Sequence, residues 1–153
     1  MRTFEIYTDG SSLGNPGPGG WGTIITENGK MVKELGGCDA HTTNNRMEIM
    51  SVIEALRYMQ AHHAKDTVII HADSAYVLGG VTTWIAGWEK NGWKTSQKKP
   101  VLNQELWQEL IALVRSFEGK LTWQKVKGHA GVLFNEKADE VATSCAASQK
   151  SLE

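Results

Sequence analysis

The chain has little cysteine, little proline and no long apolar run. Its two cysteines, Cys38 and Cys145, lie far apart and form no CxxC pair, so we expect two small buried thiols rather than a disulfide framework or a zinc site. No apolar segment approaches the roughly 18 residues of a membrane span. The N-terminus lacks the apolar core of a signal peptide, so we expect a cytoplasmic protein with no membrane segment.

A strong charge of one sign is also missing. Sixteen Lys and Arg residues stand against seventeen Asp and Glu residues, which gives a formal net charge of −1. This near-neutrality removes the simplest argument for a nucleic-acid partner. Within residues 87–153, however, basic residues outnumber acidic ones, and four lysines cluster there: Lys90, Lys94, Lys98 and Lys99. A local basic patch is therefore expected.

The hydrophobic pattern predicts one domain over residues 1–147 and a flexible tail at 148–153. Residues 3–9 alternate as a strand does, and Asn28-Gly29 predicts a hairpin between strands at 21–26 and 30–35. The glycine- and proline-rich segment 14–20 is expected to be a loop. The other predicted elements are strands at 67–72 and 120–126, and helices at 45–61, 75–78, 82–89, from Pro100 to 117, and 135–147. This order predicts an α/β domain with a five-stranded mixed sheet, three strands antiparallel and two added in parallel.

Four acidic residues stand where a fold does not ordinarily need them. Asp9 ends the first strand, Glu48 lies in the first turn of the first long helix, Asp73 follows the fourth strand, and Asp139 lies inside the last helix. If the first and fourth strands are neighbours, Asp9 and Asp73 lie side by side. Four carboxylates at one place repel one another unless cations lie among them. Such oxygen ligands favour Mg²⁺, and two ions roughly 4 Å apart suit phosphodiester cleavage.

Each carboxylate also has an ordinary structural interpretation. Asp9-Gly10 is compatible with a turn, Glu48 with a capping box answering Asn45, and Asp73-Ser74 with a helix cap. Asp139 is compatible with a solvated helix face beside other acidic residues. Spacing alone therefore leaves open whether the four converge.

Three further groups of residues are candidates for function. His129, in the glycine-flanked segment Lys127-Gly128-His129-Ala130-Gly131, can carry protons near neutral pH, although a surface histidine is the alternative. Trp84 and Trp88 precede the lysine cluster, where stacking and charge suit a nucleic-acid backbone, although their spacing equally suits core packing. Uncharged groups that suit a shallow minor groove, or turns and caps, are Asn15, Thr43, Asn44 and Asn45.

These residues stand within motifs that closely resemble bacterial-type ribonuclease H of type 1. The resemblance runs in family order from about residue 4 to about residue 147. Its motifs are Tyr7-Thr8-Asp9-Gly10-Ser11, Gly14-Asn15-Pro16-Gly17-Pro18-Gly19-Gly20, Thr42-Thr43-Asn44-Asn45-Arg46-Met47-Glu48, Ala72-Asp73-Ser74, Gly92-Trp93-Lys94, Val126-Lys127-Gly128-His129-Ala130-Gly131 and Asn135-Glu136 through Asp139-Glu140.

The resemblance implies the ribonuclease-H-like fold and endonucleolytic cleavage of RNA in RNA/DNA hybrids, with 5′-phosphate and 3′-hydroxyl products. It implies a monomer that uses two Mg²⁺ ions, with Mn²⁺ as a substitute. The metal-binding carboxylates would be Asp9, Glu48, Asp73 and Asp139, and His129 would transfer a proton or aid product release. The residues implied to bind substrate are Asn15, Asn44 and Asn45 in the minor groove, Thr43 and Asn103 in a DNA-phosphate pocket, and Trp84, Trp88, Lys94, Lys98 and Lys99 in a basic protrusion.

Four features depart from the family pattern. Ala75 replaces a glutamine that helps to hold the RNA strand, and His41 replaces an arginine beside the phosphate pocket. The protrusion is less basic than usual, and Val132-Leu133-Phe134 replaces a polar, proline-containing turn after His129. These departures keep two alternatives open: a structure-specific DNA nuclease of the same fold, and a hybrid-binding module with weak catalysis.

Overall fold

A five-stranded mixed sheet forms the centre of the molecule. The computed structural model describes residues 2–126 and 132–152. The strands are β1 (Thr3–Ser12), β2 (Gly17–Glu27), β3 (Lys30–Thr42), β4 (Thr67–Ala72) and β5 (Leu121–Lys125), in the order β3-β2-β1-β4-β5. The strands β1, β2 and β3 are antiparallel, while β4 and β5 are added in parallel. The predicted fold class is therefore confirmed.

Helices cover both faces of the sheet. The helix α1 (Asn44–His62) packs on β1 and β2 and contacts α4 (Gln104–Ser116), and α5 (Val132–Leu152) packs on β1, β2 and β3. Phe4 and Ile6 belong to the core cluster on the α1 side, whereas Tyr7 packs with Ala138 of α5. This alternation along β1 is the period-two pattern that the sequence predicts.

A short helical region connects β4 to α4. It begins as α2 (Ala75–Gly79), continues through a π-helical turn at Gly80–Trp84 and ends as α3 (Ile85–Lys90). Gly80 is required here, because a Cβ would lie 2.2 Å from the ring of Trp107. The predicted helices at 75–78 and 82–89 are thus parts of one continuous helical path. No helix in the described part of the chain is long and apolar enough to cross a membrane.

The prediction of a loop over the glycine-rich segment 14–20 is wrong for residues 17–20. Residues from Gly17 onward belong to β2, and β1 continues past Asp9 to Ser12, paired with Gly19. The strand β3 likewise continues to Thr42, beyond its predicted end at Leu35. The predicted flexible tail at 148–153 begins inside α5, which extends to Leu152.

The expectation of two free thiols is wrong. Cys38 of β3 and Cys145 of α5 form a disulfide, with a Cα–Cα distance of 5.4 Å. Cys38 is exposed rather than buried. The disulfide joins the edge strand to the C-terminal half of the last helix, so it stabilises the packing of α5 on the sheet.

Candidate active site

Asp9 and Asp73 are neighbours because β1 and β4 run parallel. Thr8 of β1 pairs with Ala72 of β4. The residues that follow them, Asp9 and Asp73, therefore lie side by side. Asp9 is partly buried and its Oδ1 accepts a hydrogen bond from the Gly10 amide at 2.9 Å. Asp73 is exposed, and Ser74, not Asp73, caps α2 by accepting from the Val77 amide. The interpretation of Asp73-Ser74 as a helix cap is therefore confirmed at Ser74, and the Asp73 side chain is not part of that cap.

Glu48 reaches Asp9 because α1 crosses directly over Gly10. A Cβ at Gly10 would lie 2.4 Å from the Glu48 backbone nitrogen, so only glycine allows this approach. Glu48 is 7% exposed and its carboxyl group hydrogen-bonds that of Asp9. The cap of α1 is Thr43, whose side chain accepts from the Arg46 amide. Glu48 therefore belongs to the acidic site rather than to a capping box.

Asp139 completes the group because α5 lies close to the sheet at Gly22. Gly22 pairs with Asp9 in the β1–β2 register, and a Cβ there would lie 2.3 Å from the Ala138 carbonyl oxygen. The Asp139 side chain is exposed to solvent and hydrogen-bonds Asp9. Two glycines, at positions 10 and 22, thus allow two helices to bring carboxylates to Asp9 on β1.

The acidic group changes the protonation of its buried members. Burial raises the pKa of Asp9 to about 6, and Asp139 adds to the rise. Burial and the charge of Asp9 raise the pKa of Glu48 to about 9, with a smaller contribution from Asp73. Without a cation, Glu48 therefore holds a proton at neutral pH. Shifts of this kind are typical of functional sites.

The four carboxylates adjoin one another in pairs rather than forming a closed cage. Among the residues described by the structure, no three Asp, Glu, His or Cys side chains are grouped so that they enclose one ion. Mg²⁺ commonly takes one or two carboxylates and completes its coordination with water and substrate phosphate oxygens. The four carboxylates offer only oxygen ligands and leave the site open to water. The raised pKa values of Asp9 and Glu48 show that negative charges crowd there, and a Mg²⁺ ion would neutralise them.

The close approach at Gly10 gives a test of this geometry. We expect Gly10→Ala to reduce kcat about 100-fold, because the added methyl displaces the first turn of α1 and moves Glu48 away from Asp9. The matched control is Gly87→Ala, where a Cβ would meet nothing within 4 Å. Steady-state kinetics of both variants check this prediction; an unchanged kcat in Gly10→Ala would show that the approach of α1 is not needed.

A polar cleft is formed partly by the same elements as the acidic group, since Ser12 follows Asp9 on β1 and Asn45 precedes Glu48 on α1. Its volume is about 480 Å³, and it brings together residues from three parts of the chain: Ser12, Asn15, Thr43, Asn44, Asn45, Leu102 and Asn103. The Asn15 Oδ1 atom accepts from the Ser12 hydroxyl and from the Asn44 amide, both at 3.0 Å. The minor-groove and phosphate-pocket candidates predicted from the sequence therefore share one cleft.

The basic and aromatic residues Trp84, Trp88, Lys94, Lys98 and Lys99 do not line that cleft. Lys94, Lys98 and Lys99 are exposed. Trp84 is 41% exposed, while Trp88 is partly buried with ring centroids 5.6 Å from Trp107 and 6.0 Å from Trp84. The exposure of Trp84 favours a contact role, whereas the position of Trp88 favours packing. His129 lies outside the described residues.

Two residues near the cleft were not assigned a role from the sequence. Arg46 donates to the Asn103 Oδ1 atom at 3.1 Å, and the Tyr76 hydroxyl accepts from Asn103 Nδ2 at 3.1 Å. Arg46 had a detectable signal, because a cation in the first turn of a helix opposes the helix dipole. Tyr76 had none. Of the departures, Ala75 and His41 are both exposed.

Comparisons with known proteins agree with this architecture. A family model described as RNase H matches residues 1–147. Ribonuclease H of Mesorhizobium japonicum is 55% identical over 92% of this chain and 76% of its own length, and ribonuclease HI of Brucella melitensis is 51% identical over 93% and 88%. The crystal structure of LC9-RNase H1 aligns with a TM-score of 0.83 at 34% identity, covering 97% of this chain and 74% of that one.

A solved structure with nucleic acid is also similar. LC11-RNase H1, crystallised in complex with an RNA/DNA hybrid, aligns with a TM-score of 0.71 at 25% identity and covers 98% of this chain and 99% of that one. The fold, the adjoining carboxylates and these matches define an endoribonuclease. The chain belongs to the RNase H family, and within it to the bacterial ribonuclease HI type.

Proposed function

We propose that the chain cleaves the RNA strand of RNA/DNA hybrids endonucleolytically and leaves 5′-phosphate and 3′-hydroxyl ends. The observation that carries this proposal is the pairwise approach of Asp9, Glu48, Asp73 and Asp139, brought together by β1, α1, β4 and α5. The hybrid bound by the similar LC11-RNase H1 supports the substrate class.

Asp9, Glu48, Asp73 and Asp139 would hold two Mg²⁺ ions, with Mn²⁺ as a substitute. When bound, such ions lower the pKa of an attacking water and neutralise charge on the departing 3′ oxygen. Glu48, which is buried, and Asp9, which is partly buried, form the centre of the site. Asp73 and Asp139 are exposed and therefore open to a phosphate and its water shell. His129 would accept or return a proton near the scissile bond.

The substrate would extend from the cleft to the basic segment. Asn15, Asn44 and Asn45 would contact the minor groove and its 2′-hydroxyls, and Thr43 and Asn103 a phosphate of the DNA strand. Trp84 with Lys94, Lys98 and Lys99 would hold the DNA backbone through stacking and charge, and Trp88 would support the ring of Trp84 from the core side. We also propose that the protein acts as a cytoplasmic monomer.

The protonation of Glu48 predicts a pH dependence. A pKa of about 9 means that a proton must leave before this carboxylate can bind a cation. Between pH 6 and pH 8 we expect Mg²⁺ affinity without nucleic acid to rise about tenfold per pH unit, as measured by isothermal titration calorimetry. Because the folded state holds more protons than the unfolded one, the stability of the metal-free protein falls as pH rises from 4.5 to about 9. An affinity independent of pH would contradict the assignment of Glu48 as a ligand.

One cleavage experiment tests the proposed function. An end-labelled RNA/DNA hybrid is incubated with Mg²⁺, with an EDTA control and with single-stranded RNA, duplex RNA and duplex DNA of the same sequence. We expect cutting of the RNA strand in the hybrid alone, and only with the metal. Cleavage of duplex DNA would instead support the DNA nuclease. A hybrid that is bound but left intact with Mg²⁺ and Mn²⁺ would support the binding module.

A further inference from the structure

Asn103 has an unusual use for a residue at the start of a helix. It precedes α4 with a left-handed backbone, φ 61° and ψ 29°, a conformation that asparagine tolerates better than most residues. Its backbone carbonyl accepts from the Leu106 and Trp107 amides, but its side chain makes no cap hydrogen bond. The side chain is therefore available for another task.

That side chain is held in one orientation. Its Oδ1 atom accepts from Arg46 Nη1 at 3.1 Å, and its Nδ2 atom donates to the Tyr76 hydroxyl at 3.1 Å. Since a guanidinium can only donate, the amide oxygen must face Arg46 and the amide nitrogen must face Tyr76. Asn103 is 9% exposed and lines the polar cleft. One N–H of Nδ2 is used by Tyr76, which leaves the second for a ligand in that cleft.

The Tyr76 side chain is held by contacts to its hydroxyl and to its ring. Its hydroxyl also accepts from Trp107 Nε1 at 3.1 Å, and Trp107 is completely buried. The Tyr76 ring lies against Trp107 and Trp84, with centroid distances of 5.1 and 6.0 Å. Because Trp107 Nε1 and Asn103 Nδ2 both donate to it, the Tyr76 hydroxyl acts as a hydrogen-bond acceptor for Asn103. Trp107 thus anchors the core end of the chain of hydrogen bonds, and Asn103 stands at the cleft end.

We infer that Tyr76 is a positioning residue for substrate binding: its hydroxyl holds the Asn103 amide so that an N–H faces a phosphate oxygen of the nucleic acid. The inference rests on the proposed function, because it takes the cleft to be a phosphate-binding part of the hybrid site. Arg46 holds the other end of the amide, and its charge is already paired with Glu105 at 2.5 Å. The Asn103 amide, rather than the guanidinium, is therefore the group offered to the ligand.

Tyr76→Phe tests this inference by removing one oxygen and leaving the ring. We expect KM for the hybrid to rise about fivefold to tenfold, in line with the loss of one hydrogen bond between neutral groups, while kcat changes by less than twofold. The matched control is Tyr58→Phe on α1, which removes the same oxygen from a side chain outside the cleft and should leave KM within twofold. A lower kcat at unchanged KM in Tyr76→Phe would overturn the inference.

A double-mutant cycle separates positioning from general loss of structure. Asn103→Ala alone should raise KM by at least as much as Tyr76→Phe, and adding Tyr76→Phe to Asn103→Ala should raise KM no further. If Tyr76→Phe raised KM equally in both backgrounds, Tyr76 would act without Asn103 and the inference would be wrong. Failure of the proposed function has a different result, since the wild-type protein would then not cut the hybrid at all.

Discussion

The Asp9→Asn variant is expected to lose at least about 10³-fold in the rate of RNA cleavage while keeping its fold. Asp9 is the one carboxylate that hydrogen-bonds both Glu48 and Asp139, so its removal takes a negative charge from the centre of the site and breaks both contacts. Losses of this size are typical when a group acts as part of a unit. The measurement is single-turnover cleavage of a labelled hybrid with saturating Mg²⁺.

The same variant should be more stable without metal. Because burial raises the pKa of Asp9 to about 6, the ionised carboxylate destabilises the folded state at pH 7, and asparagine removes that cost. We expect a gain of roughly 1–2 kcal/mol in the free energy of unfolding at pH 7, and a smaller gain at pH 4. Asp66→Asn, the same change at the amino end of β4, is the control and should cleave normally. Near-wild-type cleavage by Asp9→Asn would show that Asp9 is not a metal ligand.

Loss of the disulfide should produce the second large effect, on stability rather than on chemistry. Cys38 and Cys145 are 107 positions apart, so the bond closes a long loop in the unfolded chain. We expect the Cys38→Ser, Cys145→Ser double variant to lose about 2–4 kcal/mol of unfolding free energy. For a chain of this size that corresponds to a fall in Tm of roughly 10 °C. Thermal unfolding followed by circular dichroism measures it.

A reductant shows whether the loss of stability comes from breaking the disulfide or from replacing the two cysteine side chains. Dithiothreitol should lower the Tm of the wild-type protein towards that of the double variant and leave the Tm of the variant unchanged. A thiol assay of the unfolded, unreduced wild-type protein should find no free thiol. Two free thiols, or a Tm insensitive to reductant, would show that the cysteines do not form the bond under those conditions. We expect kcat at 25 °C to remain within about twofold, since neither cysteine belongs to the acidic group.

The elements that the sequence predicts well are those with a local cause. The hairpin at Asn28-Gly29 is confirmed, with φ of 54° and 77° at the two residues and Glu27 paired with Lys30. The buried run at 67–72 forms β4 with the predicted bounds. The predicted condition for the site, that the first and fourth strands are neighbours, is met by the β1–β4 pairing. The hairpin and the β4 run follow from residues close together in the sequence, whereas the β1–β4 pairing joins distant segments of the chain.

The errors have a different origin, because they depend on contacts between distant segments. Glycines at 17, 19, 20 and 22 break a strand by local preference, yet here all four belong to β2. Gly20 and Gly22 leave room for α5, whose Ala142 and Ala138 carbonyl oxygens would clash with a Cβ there. Nothing in the spacing of Cys38 and Cys145 reveals that β3 and α5 meet. The hydrogen bonds from Trp107 and Asn103 to Tyr76 likewise join α4 and its cap to α2, so no local sequence pattern predicts them.

The edge position of β3 also bears on self-association. This strand has thirteen residues and, within the described part of the chain, pairs only with β2, so its outer backbone groups could accept a strand from another molecule. Met31 and Val32 are exposed there, but Lys30, Lys33 and Glu34 surround them, and the register shifts between Ile25 and Thr26 of β2. Charged side chains and irregular pairing are known means of discouraging edge-to-edge aggregation. The disulfide at Cys38 further restrains this edge, so a reduced protein is the form in which aggregation through β3 should begin.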